Sequence, residues 1–102
     1  MAAEVFPLHP KMSRPLALQR IRELAGDTEN VVPGPEAPKR MKQRKITWAE
    51  IIKVLQNGQI TEGPAMDPKG CWRCTVERFA AGEDLKVVVA ICEGTLVVVT
   101  AF

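Results

Sequence analysis

Five cations fall within seven residues, Lys39, Arg40, Lys42, Arg44 and Lys45, shortly after the carboxylate of Glu36. A basic run of that density suits contacts to a phosphate backbone, and a carboxylate beside arginines is the pairing that general base catalysis on a phosphodiester requires. The run has no interleaved aromatic residue on which a base could stack, and a solvated helix face has the same composition. The other carboxylate beside a cation is Glu77, which shares strand parity with Arg73. An ordinary ion pair explains that neighbourhood equally well.

Other reactive residue types are sparse. Cys71-Trp-Arg-Cys74 has the spacing of a redox or zinc pair. Residues three apart on a strand point to opposite faces, however, and no second Cys or His pair completes a four-ligand set. The expectation is therefore buried structural cysteine, with no metal and no cofactor. One histidine, His9, leaves Ser-His-Asp and Cys-His catalysis without support, and no Gly-rich phosphate loop is present.

The elements that must position these residues are those of one small domain. A chain of 102 residues buries about two thirds of its unfolded surface without a metal or disulfide staple. The 46% hydrophobic and 25% charged fractions are ordinary for a soluble protein. No run approaches the roughly 18 apolar residues of a membrane span, and the first residues lack a basic leader followed by an apolar stretch. An odd count of three cysteines agrees with a reducing compartment, so a cytoplasmic location without a membrane partner is expected. Charge is uneven: ten Lys or Arg stand against six Asp or Glu up to residue 58, and four against six after it. The basic first half hints at an anionic partner.

Residues 1–12, with Pro7 and Pro10, read as an extended N-terminal arm, and 13–102 as a single α+β domain. Ser13 as N-cap, Pro15 in the first turn and Gly26 as a stop predict a helix from Arg14 to Ala25, with Leu16, Leu18, Ile21 and Leu24 inward. Residues 27–35 form a connector pinned by Val31 and Val32. A short helix follows from Glu36 to Arg44, anchored by Met41. Thr47 and Glu50 have capping-box spacing, and Trp48, Ile51, Ile52 and Leu55 recur at helical intervals, so a third helix runs from Trp48 to Asn57.

At Gly58 the period changes from helix to strand. Residues 59–62 form a short strand, and Gly63-Pro64 with Asp67-Pro68-Lys69-Gly70 makes a breaker loop. Cys71 to Phe79 alternate as a half-buried strand, and residues 85–101 make a hairpin around Glu93-Gly94. N-terminal helices then pack on one face of a C-terminal antiparallel four-stranded meander. Apolar residues of both parities in the last two strands leave a second face to be covered by a second copy or a partner. Alternatively, Arg73, Thr75, Glu77 and Lys86 narrow it into a polar groove.

Several segments together carry a family resemblance: Ala37-Pro-Lys-Arg40-Met41-Lys-Gln-Arg44-Lys-Ile46-Thr47, Val54-Leu55-Gln-Asn-Gly58, Gly70-Cys-Trp72-Arg73, Val87 to Ile91 and Val97 to Phe102. They resemble a bacterial domain-of-unknown-function family with a His-Ala-x-x-Arg-Met-x-x-Arg signature, over about residues 14–102. The resemblance implies a small α+β domain of the barnase and RelE type, a group of toxin-like ribonucleases. Here Glu36 occupies the place of the signature histidine. The resemblance implies a metal-independent endoribonuclease of a toxin–antitoxin system, with Glu36, Arg40, Arg44 and Arg73 as catalytic residues and Lys39, Lys42 and Lys45 binding RNA. Its partners are then RNA and an antitoxin protein. The other reading is a non-catalytic interaction or structural module of the same fold, as a homodimer.

Overall fold

The computed structural model describes residues 12–80 and 83–102. All of the expected N-terminal arm except Met12 lies outside them. Helix α1 spans Arg14–Ala25, a single 3-10 turn covers Thr28–Asn30, and β1 is Val31–Pro33. Helices α2 (Ala37–Arg44) and α3 (Trp48–Asn57) precede four strands, β2 (Gln59–Met66), β3 (Trp72–Ala80), β4 (Glu83–Cys92) and β5 (Thr95–Ala101). The class is α+β.

Local chemistry sets the helix bounds. The Ser13 hydroxyl accepts a hydrogen bond from the Leu16 N–H at 3.2 Å, and Pro15 sits in the first turn of α1. At α3 both halves of the capping box form: Thr47 Oγ1 accepts from the Glu50 N–H at 3.1 Å, and Glu50 Oε1 accepts from the Thr47 N–H at 2.8 Å. Those bonds satisfy two donors that a bare helix start would leave open, and they hold the Glu50 carboxyl below its ordinary pKa. α1 runs over the predicted residues, with Ile21 and Leu24 buried and Leu18 packed partly against the core as expected, and only Leu16 turned outward. Ala17, Ile21, Leu24 and Ala25 are buried, whereas Leu16 is 47% exposed, because the small Ala17 and Ala25 let the helix approach its neighbours closely.

The sheet is not the expected four-stranded antiparallel meander but a five-stranded mixed sheet in the order β1-β5-β4-β3-β2. Strands β2 to β5 pair antiparallel in sequence order, and β1 joins the free edge of β5 in parallel, Val31 opposite Leu96. What read as a connector pinned by two valines is thus a strand, too short at three residues to show a period. A second correction is that β2 does not stop before Gly63-Pro64. It continues to Met66 through a cis Gly63–Pro64 bond and two register irregularities, and Arg14 donates to the Gly63 carbonyl at 2.8 Å and the Thr61 carbonyl at 3.2 Å on this edge strand. The hairpin at Glu93-Gly94 forms as predicted, with Gly94 at φ +65.

One face of the sheet carries the core. Cys74 and Val76 of β3, Val87, Val89 and Ile91 of β4, and Leu96, Val98 and Ala101 of β5 are buried with Ile21, Ile51, Val54 and Leu55 of the helices. A bulge at Val99 shifts the β4–β5 register between Val88/Thr100 and Val89/Val98, which turns Ala101 inward in place of Thr100. On the other face Val88, Val97, Val99 and Thr100 are half-exposed, and no helix among the described residues covers them. Among the described residues, no helix is long and apolar enough to cross a membrane.

Three contacts join α1 to the end of α3. The Arg22 guanidinium donates to the carbonyls of Gln56 and Gly58, the latter at 2.9 Å, and Gln56 Nε2 donates to the Ala25 carbonyl at 3.0 Å. They satisfy carbonyls that the two helix ends would otherwise leave without partners. Gly58 itself is required by close approach, since a Cβ there would lie 2.7 Å from the carbonyl oxygens of Glu77 and Val54 and 2.9 Å from a Val76 methyl. Gly58→Ala is therefore expected to force α3 away from β3 and to cost about 1–3 kcal/mol, read as a lower urea midpoint with an unchanged slope.

Candidate functional site

The basic residues stand on α2, and the local fold explains why they face water. Gly34 donates its N–H to the Val98 carbonyl at 2.8 Å and lies so close that a Cβ would sit 3.1 Å from that oxygen. The chain then leaves the sheet at Pro35 and enters α2. Ala37, buried, and Met41, half-buried, stand one helical turn apart and form its inward side. Lys39, Arg40, Lys42, Arg44 and the capping Lys45 are all exposed. Lys45 ends the helix in the left-handed region at φ 55.

Glu36 is not part of the helix, contrary to the sequence expectation, but its N-cap, and its side chain makes no capping hydrogen bond. The carboxylate is thus not consumed by the helix start. Pro35, Glu36, Lys39, Arg40 and Gln43 line an open depression of about 410 Å³. Helical spacing explains this grouping: positions 36, 39, 40 and 43 share one side of the turn, with Arg44 next along it. The structure therefore brings Glu36, Lys39 and Arg40 together, with Arg44 one turn beyond Arg40, and leaves Lys42 and Lys45 exposed on the same short helix and its cap.

Arg73 is not brought to this depression. It lies on β3, two strands away from β5, to which α2 is packed, and on the opposite face of the sheet, since its neighbours Cys74 and Val76 alternate toward the helices. Its guanidinium stands 3.7 Å from the nearly buried carboxylate of Asp67. That carboxylate organises the β2–β3 turn by accepting from the N–H groups of Cys71 and Lys69, both at 2.9 Å. The Cys71 bond, foremost, holds the Asp67 carboxyl below its usual pKa.

Thr61, Glu62, Thr75, Glu77, Lys86 and Phe102 line a second hollow of about 250 Å³ on the open sheet face. Glu77 pairs across the ladder with Lys86, and Thr75 donates to Glu62 at 3.3 Å. The Lys86 ammonium stands 6.0 Å from the centre of the Phe102 ring. A hydrogen bond with the Asp84 carboxyl, together with burial and the charge of Asp84, raises the Glu77 pKa, while Lys86 pulls it down. Glu62 and Glu77, with Asp84 bonded to Glu77, stand against Lys86 and give this hollow an acidic bias; it gathers Thr75, Glu77 and Lys86 of the polar groove expected from strand parity, and Arg73 does not line it.

Of the two cysteines expected to be buried and structural, Cys74 meets the expectation and Cys71 does not. Cys74 is buried and free, and burial pushes its thiol up to about 11. Cys71 is instead bonded to Cys92, 21 residues away, just beyond the Trp72/Ile91 pair that begins the β3–β4 ladder. The odd count is one bridge plus one buried thiol, so it gives no support to a reducing compartment. Nothing in the sequence placed Cys71 opposite Cys92, because their meeting depends on the β3–β4 register along the whole ladder. Among the described residues no cluster of three or more His, Cys, Asp or Glu could hold a metal ion.

The raised Glu77 pKa has a definite sign. Where the folded state holds a proton that the unfolded chain has released, stability falls as pH rises. Denaturation midpoints measured from about pH 4 to about pH 7 should therefore decline for the native chain above the ordinary carboxylate range. Glu77→Gln should flatten that decline, and an unchanged slope would show that the Glu77–Asp84 pair does not share a proton.

No curated protein matches the sequence. A family model does, over residues 35–102, from the approach to α2 through the end of β5. The matched region holds α2, α3 and the whole antiparallel part of the sheet, while α1 and β1 precede it. With two thirds of its length matched, the chain belongs to the family described as a domain of unknown function, DUF4258.

Proposed function

We propose that the protein is an RNA-binding module whose α2 face cleaves RNA without a metal, as a toxin-like endoribonuclease. The observation that carries this reading is the grouping of a carboxylate not used in capping, Glu36, with Lys39 and Arg40 around one open depression. In the reaction the Glu36 carboxylate takes the proton of a ribose 2′-hydroxyl, and the resulting oxygen attacks the adjacent phosphorus. Arg40 and Lys39 stabilise the charge that builds on the phosphoryl oxygens, and the 5′-oxygen leaves with a proton from water. The products are a 2′,3′-cyclic phosphate and a 5′-hydroxyl. Arg44, Lys42 and Lys45 hold the flanking phosphates. Arg73, bound to Asp67 on the other face, has no part in the step.

The proposal separates binding from chemistry. Glu36→Gln should keep RNA affinity and lower the cleavage rate about 10²–10⁴-fold, whereas Arg40→Ala should weaken both. Replacing Lys42 and Lys45 together with Ala should lower the slope of log affinity against log salt by about 1.4, two phosphate contacts of single-stranded RNA. Cleavage should persist in a chelator. Unchanged cleavage by Glu36→Gln, or RNA binding that ignores salt, would reject the assignment.

A second reading, a non-catalytic module associating through the open sheet face as a homodimer or with an antitoxin protein, is favoured by one observation. Val88, Val97 and Val99 are half-exposed there beside Val32, which is 38% exposed. Sedimentation at micromolar concentration tests it: a dimer that Val97→Lys dissociates supports this face as an interface, and a monomer of 11.3 kDa sets the homodimer aside.

A further inference from the structure

We infer that the Cys71–Cys92 bridge is a thiol–disulfide exchange site that accepts a small anionic thiol. The bridge does not stand against closed packing. Both cysteines are half-buried, and both line a cleft of about 450 Å³, within the size range of small-molecule sites, together with Arg20, Lys69, Trp72 and Glu93. Arg20 also stands 3.4 Å from Glu23 at the surface. Arg20 and Lys69 line the cleft with Glu93, and Glu23 stands beside Arg20, so the two cations act as local partners for an anion and not as a net positive field. A cation close to the bridge draws in an attacking thiolate and stabilises the thiolate that departs.

Position in the sheet makes the bridge expendable for the fold. It joins residues just beyond the Trp72/Ile91 pair of a ladder that is continuous to Ala80/Glu83, so β3 and β4 stay paired when it opens. The third cysteine takes no part. Cys74 is turned into the core, with its thiol pushed up to about 11.

Exchange runs in two balanced steps. The thiolate of the small molecule attacks one bridge sulfur, the Cys71–Cys92 bond breaks, a mixed disulfide forms, and the other cysteine leaves as a thiolate. A second small thiol then attacks the mixed disulfide, releasing the small-molecule disulfide and leaving two protein thiols. Two thiols are oxidised, one bridge is reduced, and the two protons released end on Cys71 and Cys92.

The test uses the full chain purified without reductant. Unfolded in denaturant, it should show one thiol by alkylation and mass measurement, and three after reduction. Native protein is then exposed to glutathione as the anionic thiol and cysteamine as the cationic one, and acid-quenched mixed disulfides are mapped by mass spectrometry. The expected result is a mixed disulfide on Cys71 or Cys92 that forms faster with glutathione than with cysteamine at equal thiolate concentration. In Arg20→Gln/Lys69→Gln that preference should fall about three- to tenfold, as expected for loss of local electrostatic attraction. Circular dichroism should show the strands retained after reduction. Three thiols before reduction, adduct formation on Cys74, unfolding on reduction, or a preference unchanged in the double variant would each overturn the inference.

Discussion

Burial of one face of the sheet under α1 and α3 is the constraint on which the rest depends. Val76, Val87, Val89, Leu96 and Val98 meet Ile21, Ile51 and Leu55 with essentially no exposure. At roughly 25 cal/mol per Å² of apolar surface removed from water, this packing is the main source of stability. Alternation along a strand then decides every other position: whatever stands between two core residues faces out. Glu77 is placed on the open face because Val76 is not, and Thr100 because the Val99 bulge turns Ala101 inward. Beside the bulge, the Thr100 hydroxyl is buried and finds no hydrogen-bond partner among the described residues.

Elements with their own local signal were legible in the sequence. α3 was, because capping chemistry and apolar period coincide in ten residues, and so was the β4–β5 hairpin, because Gly94 supplies the positive φ its turn needs. β1 was not. It holds three residues in place by pairing with β5, more than sixty positions later, and non-local pairing leaves no mark on a three-residue window. Gly63-Pro64 reads as a breaker in isolation, yet an edge strand tolerates proline and bulges, so β2 passes through it. The outward position of Leu16 on α1 was hidden for a different reason. Leu16 outranks Ala17 in hydrophobicity, but the close approach of α1 to its neighbours selects the small residue.

The grouping of the candidate site residues was legible to the extent that they share one local element. Glu36, Lys39, Arg40 and Gln43 fall together because a single helical turn brings positions 36, 39, 40 and 43 to one side, a property of spacing alone. Arg73 belongs with them only if the sheet folds so as to bring it there. Sequence parity fixes which face of β3 it occupies but not which face α2 will cover. Cys71 and Cys92 meet through strand register, the least local of these determinants, and their pairing was accordingly the hardest to see.

The division of charge follows from the same constraint. α2 spends only Ala37 and Met41 on the core, so a helix with five cations at and beside it keeps all five in water. On the sheet, Glu62 and Glu77 line a hollow with Lys86, and Asp84 bonds Glu77, because the ladder brings together residues that are distant in sequence. The formal net charge of +2 hides this arrangement. Within a Debye length of roughly 8 Å at physiological salt a ligand feels the local patch and not the total. A polyanion is therefore attracted along α2 and repelled from the acidic hollow, which supports the proposal that a phosphodiester would be held at the Glu36–Arg40 depression and not on the open sheet face.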